Sequence, residues 1–363
     1  MDLEMLTRLN RTYLTRANPG PTLRSVIAAH DDSMLRATDM AAIIRSNPMY
    51  AKVILSLPFL AQKISQWEEE APDRADTDTL FTDRIAGLLG KSALRNVVAA
   101  IRLRRAVLGG LPRKEGERVD LSVAQLIPMS IACEEYYQQH SIPHAEKGFA
   151  AGLHYDWLNA LFINNKDGKP ATDRLSKAFK EGQVLCQIAR AIGLQMREMT
   201  LNEYLCAAAW LLPLGSALMN VTFPKGASGK AAWSEFEALQ SKREARARQS
   251  LIEGLLQKRR FDTSDVELLS LFVSAFELFL PVERAIRYSR TPWFIEGSHP
   301  DEARFSNVLS ITRSLRASFP LTGGSKVAPT ELPLPARQRK WLIANGVSEK
   351  ALLLALSELS KSP

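Results

Sequence analysis

Histidine and cysteine are the scarce residues of this chain. There are five of the first and three of the second in 363 residues. Cys133, Cys186 and Cys206 stand outside CxxC spacing, each in an apolar helical stretch, so a disulfide framework is excluded. They read as small buried hydrophobes, and reduced thiols fit a cytoplasmic protein. Five histidines are too few for a zinc cluster or a His-rich metal enzyme. His140 and His144 flank Pro143 in a turn before a helix, and His30 and His299 read as loop or helix-end residues. Acidic Asp2 and Glu4 stand where a signal peptide has basic residues, and no apolar run follows. One uncharged stretch, LCAAAWLLPLGSALMNVTF at 205–223, is long enough to raise a membrane span. Pro213 and Gly215 interrupt it, so it predicts two buried helices meeting at a bend. Phosphate-loop motifs are missing too. GASGKA at 226–231 has Pro224 in place of the first glycine and Ala231 in place of the Ser or Thr that would hold magnesium. It reads as a flexible loop.

What is present is an ordinary globular composition, 46% apolar and 24% charged, with 47 basic and 39 acidic residues and a net charge of +8. Apolar residues recur at spacings of three and four, and no alternating strand or hairpin pattern appears. The fold class is therefore all-α. Helices are predicted at 37–47, 83–108, 121–138, 146–164, 173–193, 200–222, 231–259 and 264–287. Polar, turn-rich connections are predicted at 68–78, 109–118 and 165–172. The strongest boundary is SFPLTGGSKVAPTELPLPA, read as a linker at 318–336. After it, Asn345-Gly346 marks a helix stop and Ser348 the next N-cap. This short helical tail at 337–363 is too small to fold alone and is expected to dock on the body or on a partner.

The segment EKGFAAGLHYDWLNALFIN at 146–164 says most. Phe149, Leu153, Trp157 and Leu161 form one stripe, flanked by Ala150, Leu158 and Phe162, so this helix must be well buried. Asp156 among such neighbours needs a partner, a buried Arg or a backbone amide. FAAGLHYDWLNALF resembles the AFxAGLLHDIGxLxL helix of HD-type domains, and more closely that of the HDOD family, the HD-related output domain of bacterial signalling proteins. LRATDMAAIIRSNPMYAKVILSLP (35–58) is similar to that family's opening. RIAGLLGKSALRNVVAAIRL (84–103) resembles its Leu-Gly-xxx-Leu-Arg helix pair. Trp210 with Leu212-Pro213 resembles its Trp-x-Leu-Pro element. The resemblance spans 21–225. It implies an N-terminal helix at 1–20, an HDOD-like helical domain at 21–225 and a helical extension at 226–317 packed on it.

The departures from the family pattern bear on function. Tyr155 stands where the metal-binding histidine of the HD doublet belongs, and only Asp156 is kept. His154 lies one position early, about 100° around the helix. The family's His-His pair falls near Thr222-Phe223. Too few imidazoles remain for a metal-activated hydroxide. The resemblance thus implies a cytoplasmic, non-catalytic regulatory protein, with His154, Tyr155, Asp156 and Trp157 lining a degenerate HD pocket and no cofactor. The alternative is a divergent metal-dependent phosphohydrolase acting on a nucleotide. The expected partner is another signalling protein or a small anionic ligand such as a nucleotide. A basic amphipathic stretch at 241–260 offers Lys242, Arg243, Arg246, Lys258, Arg259 and Arg260 to an anionic partner. A solvated helix face explains the same residues. Without a helix-turn-helix signature, nucleic-acid binding has weaker support. Arg102, Arg104 and Arg105 need no partner, because cations favour a helix C-terminus.

Overall fold

A computed structural model describes residues 127–163, 168–196, 202–222, 257–258, 263–275, 280–318 and 331–359. Every regular element among them is helical. The α-helices are α1 (Pro128–Gln139), α2 (Ala145–Ile163), α3 (Gly168–Gly193), α4 (Asn202–Thr222), α5 (Asp265–Ala275), α6 (Leu280–Arg287), α7 (Pro300–Ser318), α8 (Ala336–Ala344) and α9 (Glu349–Leu359). A short 3-10 turn, Pro292–Phe294, links α6 to α7. The expected helices at 37–47 and 83–108, the expected helix at 231–259 apart from residues 257–258, and the family-like segments at 35–58 and 84–103 lie outside the described residues.

Helix α4 is the hub. It packs against α2, α3, α5, α6 and α7, and its residues Leu205 to Leu212 are buried almost completely. A helix apolar all round has no solvent face to offer and sits inside. The expectation of two helices meeting at a bend is corrected here, for α4 runs unbroken with Pro213 inside it. Proline withholds one N–H from the helix ladder, a cost of about 3 kcal/mol in an exposed helix. Neighbours on nearly every side hold α4 through that defect. Among the described residues no helix is long and apolar enough to cross a membrane.

Two close helix pairs frame the hub. Helices α1 and α2 pack on each other, as do α3 and α4. The approach of α1 to α2 needs glycine at two places one turn apart. A Cβ on Gly152 would lie 2.5 Å from the Met129 carbonyl oxygen and from the Ser130 nitrogen. One on Gly148 would meet the Tyr137 ring at 2.6 Å. Helix α3 starts at Gly168, five residues before the predicted 173, because Pro170 sits in the first turn, where an N–H has no intrahelical partner anyway. The predicted helix at 264–287 divides into α5 and α6. Of the predicted helix at 121–138, residues 121–126 lie outside the described residues, and α1 opens at Pro128, whose fixed φ suits a first helical position.

The tail docks on the body. Leu342, Leu352 and Leu356 are fully buried in the common core, each worth roughly 1.5–3 kcal/mol relative to exposure. Helix α9 packs on α3, and the Ser348 amide donates to Gln195 Oε1 at 3.1 Å. The stop at Asn345 is as read, with Gly346 at φ 80°. The Ser348 hydroxyl accepts from the Ala351 amide. The end of the 318–336 stretch is packed rather than a free linker, because Leu332 and Leu334 are buried and Arg339 donates to the Leu332 carbonyl at 2.8 Å.

Candidate functional site

The HD-like residues sit on the most enclosed part of α2, where every residue from Gly148 to Leu158 is buried. Successive side chains on a helix point about 100° apart, and here each meets a different neighbour. Asp156 turns to α1. Its Oδ1 accepts the Met129 amide at 3.1 Å, and Oδ2 accepts the Ser130 amide at 2.8 Å and the Ser130 hydroxyl. The residue preceding α1 is Ile127, which has no oxygen to cap the helix, and Pro128 follows. Asp156 therefore supplies from another helix the cap that α1 lacks locally. Of the two partners expected from the sequence, buried Arg or backbone amide, the amide is the one found. Burial pushes its carboxyl up to about 7, while the Ser130 and Met129 donors hold it from rising further.

Tyr155 turns to the α3–α4 pair. Its hydroxyl donates to the Trp210 carbonyl at 2.7 Å, and its ring stands edge-on to Phe179. His154 faces α5. Its Nδ1 is 2.8 Å from the Ala150 carbonyl and its ring is 5.9 Å from Phe272. That contact fixes a neutral tautomer with the proton on Nδ1, and burial pulls the imidazole down to about 4. Trp157 is buried. Of the expected degenerate HD pocket, His154, Tyr155 and Asp156 thus turn to three different helix interfaces. Trp210 of the Trp-x-Leu-Pro element is buried against Tyr136 and Phe179. Thr222 ends α4. Among the described residues no three His, Cys, Asp or Glu side chains are grouped to hold a metal ion.

The three cysteines are free thiols and fully buried, as their apolar settings predict. Of the basic candidates, Lys258 pairs with Glu267 of α5. Lys242, Arg243, Arg246, Arg259 and Arg260 lie outside the described residues, as do 226–231.

A second gathering of charged side chains lies elsewhere. An open cleft of about 530 Å³ runs between α3, α4 and α7, closed at one end by the start of α5. Five cations line it: Arg174 and Lys177 from α3, Arg290 after α6, and Arg313 and Arg316 from α7. Two carboxylates among the described residues, Glu181 and Asp265, line it with them. Leu185, Leu212, Pro213 and Ala217 make the apolar wall.

The charges are graded with depth. At the bottom, Asp265 is buried and accepts at Oδ1 from Arg290 Nε and Nη2, at 3.1 and 2.7 Å. Arg313 Nη2 lies 3.6 Å from Oδ2, and the Ser216 hydroxyl donates to the same oxygen at 3.3 Å. Burial alone would raise this carboxyl, but Arg290 and Arg313 outweigh it and hold the group below its ordinary value. Higher up, Arg316 clasps Glu181 through two bonds, at 2.6 and 2.7 Å. Arg174 and Lys177 are exposed and have no ion-pair partner among the described residues. The sequence reading missed all five cations. Their only linear signal is a pair of basic doublets at i, i+3, Arg174/Lys177 and Arg313/Arg316.

Comparison of the chain with protein-family models, curated proteins and solved structures gives no match.

Proposed function

We propose that this protein works by binding rather than turnover, as an HDOD-like regulatory module of a bacterial signalling system in the cytoplasm. The observation that carries the reading is the use made of the HD-like residues. Asp156 caps α1 and Tyr155 ties α2 to the carbonyl of Trp210, so both are engaged in joining helices. A hydrolytic metal site needs ligands that converge and leave a coordination position open, whereas these side chains point apart. The cationic cleft supports an anionic partner, in keeping with the net charge of +8.

The test is metal analysis of the purified full chain together with a phosphodiesterase assay on nucleotide substrates. No stoichiometric divalent metal and no hydrolysis are expected. Stoichiometric manganese or iron that is lost in Asp156→Ala would overturn the reading.

A further inference from the structure

We propose that the outer face of α9 is a self-association surface, on which a second copy of this chain lays its own α9 antiparallel about a two-fold axis through Leu354.

Three observations lead there. The first is that α9 is apolar on two sides. Leu352 and Leu356 are fully buried, and α9 packs on α3. At about 100° per residue, Leu354 falls on the side of the helix opposite to both, and it is 62% exposed. A surface helix anchored by one apolar stripe ordinarily carries polar residues on its other face. Here Ala351 is exposed beside Leu354, and Ala355 is half-buried next to it. Small residues around one large one let two helices approach closely. Leu194 and Ile343, also exposed, stand at the ends of α3 and α8, where the Ser348 amide donates to Gln195. Three of the five large apolar side chains exposed among the described residues therefore gather around α9.

The second is charge. Lys350 and Glu358 stand four residues before and four after Leu354, on the same face, and both are exposed. With Leu354 on the axis, an antiparallel partner sets Lys350 opposite the second copy's Glu358 and Glu358 opposite its Lys350. One stretch of helix is then complementary to itself, as a two-fold contact requires. A parallel pair would set lysine on lysine and glutamate on glutamate.

The third is the helix dipole. Lys350 lies in the first turn of α9 and Glu358 in the last, so each charge sits at the end its own helix disfavours. Glu349 offsets part of this at the first end. In the antiparallel pair each charge lies against the opposite end of the second helix, where its sign is favoured.

The experiment is sedimentation equilibrium of the full chain at low and high salt. It is repeated on Lys350→Glu, on Glu358→Lys and on the double reversal Lys350→Glu/Glu358→Lys, with circular dichroism to check the helix content of each. One short helix face buries little area, so a weak dimer is expected, with a dissociation constant on the order of 10–100 µM. Salt should loosen it. Either single reversal sets like charges opposite each other twice and should weaken the dimer at least about tenfold. The double reversal exchanges the signs and should restore association to within about threefold of the parent. Leu354→Glu brings two carboxylates together on the axis and should leave a monomer. The surface is overturned if the full chain stays monomeric at about 1 mM, or if it dimerises and neither single reversal weakens the dimer. It is overturned as well if the double reversal fails to restore what the single reversals weaken.

Discussion

The stretch His154–Trp157 and the cleft beside Asp265 both gather ionisable side chains, and they use them in opposite ways. On α2, His154, Tyr155 and Asp156 follow one another in sequence, and each completes a different helix contact. In the cleft, residues from 174 to 316 are brought together in space, and three of the arginines share two carboxylates. A doublet that resembles a metal motif has become part of the core. A set with no linear motif lines an open cleft. Proximity along a helix says little about a shared site unless the side chains also fall on one face.

The largest effect expected separates the two regions by stability. Asp265→Ala would leave Arg290 and Arg313 buried without their carboxylate, which should cost about 3–5 kcal/mol. Urea unfolding of the full chain measures this, and a loss under about 1 kcal/mol would mean the cluster is not buried as described.

Next in size is a pH effect confined to α2. Asp156 titrates near 7 in the fold against an ordinary 3.8, so the native state keeps a proton that the unfolded chain has lost. Its contribution therefore falls as pH rises from about 4 to 7. His154 titrates near 4 against 6.5, so here the unfolded chain holds the extra proton and stability rises over nearly the same interval. The two slopes oppose each other. Asp156→Asn should expose the histidine slope, with stability climbing from pH 4 to 6.5 by on the order of a few kcal/mol. Urea midpoints taken across that range give the slope directly, and a flat profile in the variant would break the account of His154.

Gly152→Ala comes third. A methyl group there meets the backbone of Ser130, and backbone cannot rotate aside. Forcing α1 from α2 should cost about 1–3 kcal/mol and stretch the Asp156 cap as well. Thermal melting checks it, and an unchanged melting temperature would show that the two helices can part freely. Smallest of all is the stability change of Arg174→Gln/Lys177→Gln. It should stay within about 0.5 kcal/mol by urea unfolding, because neither side chain is engaged in an ion pair among the described residues. A larger loss would place these two residues in the scaffold rather than in a binding surface.

Much of the fold was legible from the apolar spacing. Helical periodicity gave the all-α class, and the crowding of apolar residues around 146–164 identified α2 as enclosed. The stop at Asn345-Gly346 and the cap at Ser348 were readable because capping is local. Pro213 misled because a proline's effect depends on what surrounds the helix, and α4 is supported on nearly every side. The need of Asp156 for a partner could be stated from burial. Which partner could not, since the amides it caps lie 26 and 27 residues upstream and reach it only through the Gly148 and Gly152 crossing. The cleft was beyond reach for the same reason. Its cations come from three separate stretches of chain, and only sparse doublets mark them in the sequence.

The claim that the HD-like residues build the core is tested most directly at one atom pair, the carboxylate of Asp156 over the amides of Met129 and Ser130. The measurement is the unfolding free energy of Asp156→Ala and Asp156→Asn, each with a chelator and with added manganese. Alanine removes the cap and should cost about 1–3 kcal/mol. Asparagine keeps one acceptor oxygen and should retain part of that stability. Neither value should respond to metal. Equal stability for both variants and the parent, or a parent that manganese stabilises while the variants do not respond, would contradict the account.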